Sequence, residues 1–184
     1  MKVRGSALRY IAKSGLWRAV ALAWPREFLQ GLFDEDGGVG VWASPKRFQV
    51  AVTLTNSNLD VLGLARRLLV DLGIKCPWPP RRKHRKGEVA RIRGGRYRLR
   101  RDCWEVRVRE ERPLLRFASL VNFRVERRRK LEDALRILKR CRSNRERVME
   151  WLRMYRKPPT AGGTPDCPAW LRVSPSDTEL LSIK

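Results

Sequence analysis

Trp24-Pro25-Arg26-Glu27-Phe28-Leu29-Gln30-Gly31-Leu32-Phe33-Asp34-Glu35-Asp36-Gly37-Gly38 decides how the rest of the chain is read. Pro25 sits where a helix can begin without losing a hydrogen bond, Phe28, Leu29, Leu32 and Phe33 recur at helical spacing, and Gly37-Gly38 ends the run. A short helix ending in acid is predicted. Two features do not suit an ordinary surface helix. Gly31 in its interior costs about 1 kcal/mol relative to alanine. Asp34, Glu35 and Asp36 crowd the C-terminal end, where the helix dipole opposes negative charge. An interior glycine lets another backbone approach closely, and a carboxylate at a helix end beside a glycine turn is placed to hold a hard divalent cation.

Composition sets the partner. The 184 residues suffice for one domain with a real core and are too few for two large ones. The formal net charge is +23, from 42 Lys and Arg that are mostly Arg, against 19 acids. Charge of that size implies a polyanion, and arginine favours forked recognition of phosphates and guanine edges. No run of about 18 apolar residues exists, so no membrane span is expected. Residues 1–18 are basic and interrupted by polar groups, which predicts no secretory signal and an intracellular location in cytoplasm or nucleoid. Cys76, Cys103, Cys141 and Cys167 lie far apart and His84 is the single histidine. Zinc-finger and histidine-based catalytic sites are excluded, leaving buried or incidental thiols. Only six Asn and Gln beside abundant Arg hint at a thermophilic source.

Upstream of the acidic helix, residues 6–23 have helical apolar spacing broken near Ser14-Gly15, a lead-in that packs on the body. Downstream, residues 38–44 read as a strand, Pro45-Lys46 as a turn and Arg47 to Asn56 as a second strand with strict alternation. Phe48, Val50, Val52 and Leu54 form its buried face. Arg47, Gln49, Ala51, Thr53 and Thr55 point the other way, a small polar face suited to base edges or water. Leu59 to Gly73 follows as an amphipathic helix carrying Leu62, Ala65, Leu68, Leu69 and Leu72 inward. Residues 77–86 read as a basic, proline-rich loop with Arg81, Arg82, Lys83, Arg85 and Lys86.

A second signal lies around Gly94-Gly95, a two-residue hairpin turn by composition. It pairs Val89–Arg93 with Arg96–Arg100, and Cys103–Arg109 forms a further strand. Alternation then places Arg91 and Arg93 on one face with Arg96, Arg98 and Arg100, with Val89 opposite Arg100, and Arg107 and Arg109 share the alternation on the third strand. Like charges opposite one another destabilise a sheet, and a negative partner resolves the conflict. A β-ribbon of this kind enters a DNA major groove, whereas the deep, narrow groove of A-form RNA excludes it. Further on, residues 113–121 form a short buried helix, 122–127 a polar loop and 128–140 a helix with Leu131, Leu135 and Leu138 inward. Ser143 caps a last helix through Tyr155. Residues 157–184, rich in Pro, Gly, Thr and Ser, form an extended or partly disordered tail beyond a single domain of residues 1–156.

Leu29-Gln30-Gly31-Leu32-Phe33-Asp34-Glu35-Asp36-Gly37 resembles the signature of the LAGLIDADG homing endonucleases, and the order of elements over residues 25–140 resembles that family's half-site unit. Gln30 and Glu35 depart from the signature. The resemblance implies an α+β fold: a homing-endonuclease-like αββαββα core with a curved antiparallel DNA-binding sheet. It implies that two such helices pack side by side, here through Glu27, Phe28, Gln30 and Gly31. With one copy of the motif, the chain must form a homodimer reading a near-palindromic double-stranded DNA target. Asp36 then holds the metal with the backbone carbonyl of Glu35, and the extra Glu35 carboxylate leaves the choice of acid open. The implied cofactor is Mg²⁺ or Mn²⁺, with Ca²⁺ able to bind without supporting cleavage. Asn56 matches the family's polar residue after the second strand, with Ser57 and Asn58 as neighbours to test. Arg127 matches its basic residue before the late helix, with Arg128 and Lys130 as the alternatives. A competing class is a non-catalytic binder on the same scaffold, an RNA splicing cofactor or a transcriptional regulator.

Overall fold

Strict alternation in residues 47–56 places a strand at the centre of the molecule, because its apolar face is wide enough for helices to cover. In the computed structural model, which describes residues 16–44, 46–92 and 95–155, Phe48, Val50, Val52 and Leu54 are all buried. The elements are α1 (Leu16–Ala23), α2 (Pro25–Asp36), β1 (Gly37–Ser44), β2 (Arg47–Asn56), α3 (Leu59–Asp71), β3 (Arg81–His84), β4 (Val89–Ile92), β5 (Gly95–Arg98), β6 (Cys103–Val108), α4 (Glu111–Leu120), α5 (Val125–Arg140) and α6 (Asn144–Tyr155). An antiparallel sheet runs β1-β2-β6-β3, and β4-β5 forms a separate two-stranded ribbon. Helices α2, α3, α5 and α6 all pack on the sheet. The order is the expected α+β core with the ribbon inserted between the strands of its second pair.

Beneath the acidic helix end, Phe33, Phe117 and Phe123 are each at most 1% exposed. Phe33 meets Phe117 edge-on at 4.8 Å between ring centroids and Phe123 at 6.1 Å. This cluster locks α2 to α4 and to the start of α5. The last helix begins as read: Ser143 Oγ accepts from Glu146 N at 3.2 Å while Glu146 Oε2 accepts from Ser143 N at 3.4 Å, a reciprocal capping box.

Three expectations are corrected. Arg81–His84 is an edge strand rather than a loop, because β6 needs a backbone partner on the side away from β2. Its basic residues and its bulge between Arg82 and His84 also shield the sheet edge from pairing with another chain. The ribbon turns one residue earlier than composition suggested. Arg91 lies opposite Arg96, Ile92 opposite Gly95 and Val89 opposite Arg98, so Gly95 is a strand residue and Arg100 falls beyond β5. The ribbon's base fixes that register, with Leu99 N donating to Glu88 O at 2.9 Å and Gly87 N to Leu99 O at 2.8 Å. Because the register moves by two, every residue keeps its face. Third, α5 starts at Val125, so Arg127 lies in its first turn and not in a loop. Its N-cap, Arg124, offers no side-chain acceptor; Asp34 Oδ1 supplies one from α2, accepting from Arg124 N at 2.9 Å.

Cys76 is buried, which pushes its thiol up to about 11, and Cys103 and Cys141 are partly exposed and unpaired. Residues 1–15, Arg93, Cys167 and the rest of the expected tail lie outside the described residues.

Removing the centre of the aromatic cluster tests the account of how α2 is anchored. Phe117→Ala is expected to lower the free energy of unfolding by about 3–5 kcal/mol, read as a lower urea midpoint with an unchanged slope. A loss below about 1 kcal/mol would mean that α2 is held elsewhere.

Candidate metal and nucleic-acid site

The C-terminal end of α2 is built by a turn that admits only glycine. A Cβ at Gly37 would lie 2.4 Å from Phe33 O, so the chain passes directly from the last helical turn into β1. Antiparallel pairing of Gly37 with Leu54 then brings the far end of β2 beside the helix end. There Asn56 Nδ2 donates to Asp36 Oδ2 at 2.6 Å. Asn56 Oδ1 accepts from Asn58 N at 2.8 Å, which turns the amide group toward the carboxylate. Two residues singled out from the sequence, 20 positions apart, are therefore in direct contact.

The three acids divide by environment. Asp34 is committed to the protein: besides accepting from Arg124 N, its Oδ2 lies 3.5 Å from Arg124 Nε, and its side chain is 20% exposed. Glu35 and Asp36 are exposed. Arg127 Nη1 donates to Phe33 O at 3.2 Å and also to Asp34 O. A guanidinium on the last carbonyls satisfies that of Asp34, adds to the Gly37 N–H already on Phe33 O and opposes the negative end of the helix dipole, which is what allows acids to gather there. Arg127 thus reaches the same helix end as Asn56, but through the backbone and not through Asp36.

The donors fit Mg²⁺ or Mn²⁺ in kind, since carboxylate and carbonyl oxygens suit hard cations. Among the described residues no group of three or more His, Cys, Asp or Glu could hold a metal within one chain. Along α2, Glu27 and Gly31 lie exposed, and a Cβ at Gly31 would have nothing within 4 Å. Their neighbours in the sequence reading are engaged within the chain: Phe28 stacks on Trp17 at 6.3 Å, and Gln30 Nε2 donates to Val121 O at 3.0 Å.

The uncovered face of the sheet carries the basic residues. Thr53 lies opposite Arg107 and Thr55 opposite Glu105, and Gln49, Thr53 and Thr55 are half-buried beside an exposed Arg47. Partial desolvation, then the charges of Arg107 and Arg47, lower the proton affinity of Arg109, with Glu105 acting in the opposite sense. Arg96, Arg98 and Arg100 are exposed on or just beyond the ribbon, where Arg91 occupies the position opposite Arg96. Two further residues on this face, Glu105 and Trp42, went unrecognised in the sequence, and Lys83 was read only as part of a basic loop. Lys83 Nζ lies 3.1 Å from Glu105 Oε2, and Glu105 also accepts from Arg107 Nε. The signal for Glu105 was present, as the one acid alternating with Arg107 and Arg109; Lys83 was hidden by reading β3 as a loop.

A family model described as the LAGLIDADG-like domain matches residues 23–122, more than half of the chain. An uncharacterised protein of Methanocaldococcus jannaschii is 30% identical over 110 residues, which are 60% of this chain and 37% of the relative. The chain thus spans little more than a third of that relative's length.

The bonds made by Arg127 give it a structural role that can be measured. Arg127→Met is expected to destabilise the fold by about 1–3 kcal/mol through the unanswered carbonyl of Asp34, read by urea unfolding. Unchanged stability would mean that water caps α2 equally well and that Arg127 is held there for another purpose.

Proposed function

The chain belongs to the LAGLIDADG family, and on that footing we propose that it is a site-specific, metal-dependent double-strand DNA endonuclease of the homing type, encoded within an intron or intein and acting as a homodimer. The observation that carries this reading is the Asp36–Asn56 contact of 2.6 Å at an exposed helix end. Asp36 and the carbonyl of Glu35 would hold Mg²⁺ or Mn²⁺, which when bound supplies an activated water and neutralises the oxygen that leaves the phosphodiester. Asn56 fixes the orientation of the Asp36 carboxylate and offers its amide to ordered water. Arg127 keeps the carbonyls of the last turn in place, so the metal-holding oxygens do not fray with the helix end. Asp34 anchors α5 and takes no part in the chemistry.

Two copies are required on this reading, because one chain supplies one acidic helix end and a double-strand cut needs two. Gly31 is where the partner helix would approach, with Glu27 beside it and Phe28 and Gln30 bordering the contact. The uncovered sheet face, through Arg47, Gln49, Thr53, Thr55, Arg107 and Arg109, would track the major groove, and the ribbon arginines would extend the contact along the backbone. No described helix is long and apolar enough to cross a membrane, and a DNA target suits the cytoplasm or nucleoid.

Incubating the protein with a randomised duplex library, with Mg²⁺ or with EDTA, tests this function. Discrete, metal-dependent ends from a two-fold related target are expected. Enriched binding without cut ends would replace the nuclease by a regulator or an RNA splicing cofactor. Asp36→Asn should retain DNA affinity and slow cutting by about a thousand-fold or more, and a variant cutting at full rate would move the metal to Glu35 or Asp34. Sedimentation equilibrium should give a dimer on the full target; a monomer there refutes the shared site.

A further inference from the structure

The uncovered sheet face contains a group that a phosphate-binding surface does not need, a buried acid. The Glu105 side chain is only 3% exposed, on a face whose other charged side chains, Arg47, Lys83, Arg107 and Arg109, are cations. A carboxylate there repels phosphates, so attraction to a backbone does not account for it. What it does is hold two cations at once. Oε2 lies 3.1 Å from Lys83 Nζ, which also donates to Thr55 Oγ1 at 3.2 Å, and Oε1 accepts from Arg107 Nε. Arg107 is held from a second side, its guanidinium carbon lying 5.7 Å from the centroid of the Trp42 ring. That ring folds back over Gly40, where a Cβ would come within 2.6 Å of Trp42 Cη2, and Ala51 opposite Gly40 is fully buried. Among the described residues the terminal nitrogens of Arg107 carry no hydrogen bond, so the forked end stays available.

We propose that Glu105 is a positioning residue for sequence discrimination: with Trp42 it holds Arg107 as a fixed fork that reads a guanine edge at one base pair of each half-site. This rests on the reading that the face meets duplex DNA, and it deepens that reading by assigning one base. An unrestrained arginine satisfies itself on whichever phosphate or acceptor is near and discriminates poorly. One whose Nε is taken and whose plane is set by a ring has only its terminal pair left, in the geometry that matches O6 and N7 of guanine. The exposed Arg96 and Arg98 would then serve the backbone.

The test uses the full chain with Ca²⁺ in place of Mg²⁺, so that binding is read without cutting. Sequences selected from a randomised duplex library are compared for the wild type, Glu105→Gln, Trp42→Leu and Arg107→Lys. The wild type should enrich guanine at one position per half-site. In each variant that preference should fall by on the order of ten-fold, with preferences at other positions retained. Glu105→Gln should also bind unrelated duplex more tightly and with a steeper salt dependence, since Lys83 and Arg107 are freed for phosphates. Equal weakening on all sequences, with every positional preference intact, would make Glu105 merely structural and overturn the proposal. Trp42→Leu and Arg107→Lys carry the test if Glu105→Gln does not fold. A wild type that binds duplex without any guanine preference removes this proposal alone, whereas one that binds no duplex removes the reading of the face on which it rests.

Discussion

The negative end of α2 is the constraint on which the site depends. A helix C-terminus repels carboxylates, yet three of them are gathered there. The arrangement holds because the charges are answered from elsewhere in the chain. Arg127 donates to the carbonyls of Phe33 and Asp34, Arg124 engages Asp34, and Asn56 donates to Asp36. None of these partners is local: Asn56 is 20 residues away and Arg127 more than 90. The helix end is therefore completed only once β2 and α5 have docked, and the aromatic cluster of Phe33, Phe117 and Phe123 holds that docking from below. The acid site is formed by the whole fold and not by the nine residues that announce it.

That distribution explains what the sequence could and could not convey. Periodicity is a local property, and it located α2, β1, β2, α3 and β6 to within a residue or two, together with the buried face of β2. Ser143 marked the start of α6 because the cap is local: its partner Glu146 lies within four residues. The start of α5 was misplaced for the opposite reason: its capping oxygen belongs to Asp34, on a different helix. The strand at Arg81–His84 has no apolar alternation of its own and exists only because β6 lies beside it. In the ribbon, glycine content placed the turn one residue late, since backbone bonds at the ribbon's base, from Gly87, Glu88 and Leu99, set the register. For the site itself, Asp36 and Asn56 were legible as residues, and the contact between them was not. Arg127 was matched by resemblance to a basic residue before the late helix, while its bonds to the α2 carbonyls join residues more than 90 positions apart and leave no local signal.

The basic face follows the same logic on a larger scale. A chain of net charge +23 must keep its cations from driving apart the sheet that bears them. Glu105 answers two of them from within the face, and Trp42 lends its ring to one. Beside them Arg109 is partly desolvated and feels the charges of Arg107 and Arg47, and holds its proton less tightly than a solvated arginine would.

Among the described residues the ribbon of β4 and β5 shares no ladder with the main sheet. Lengthening or shortening it by matched pairs of residues would leave each side chain on its original face, and would transmit nothing to the register of β1, β2, β6 and β3. The length of the ribbon and the geometry of the acidic helix end can therefore vary independently. A lineage built on this scaffold is free to acquire a longer or shorter arm while the helix end that carries Asp36 stays as it is.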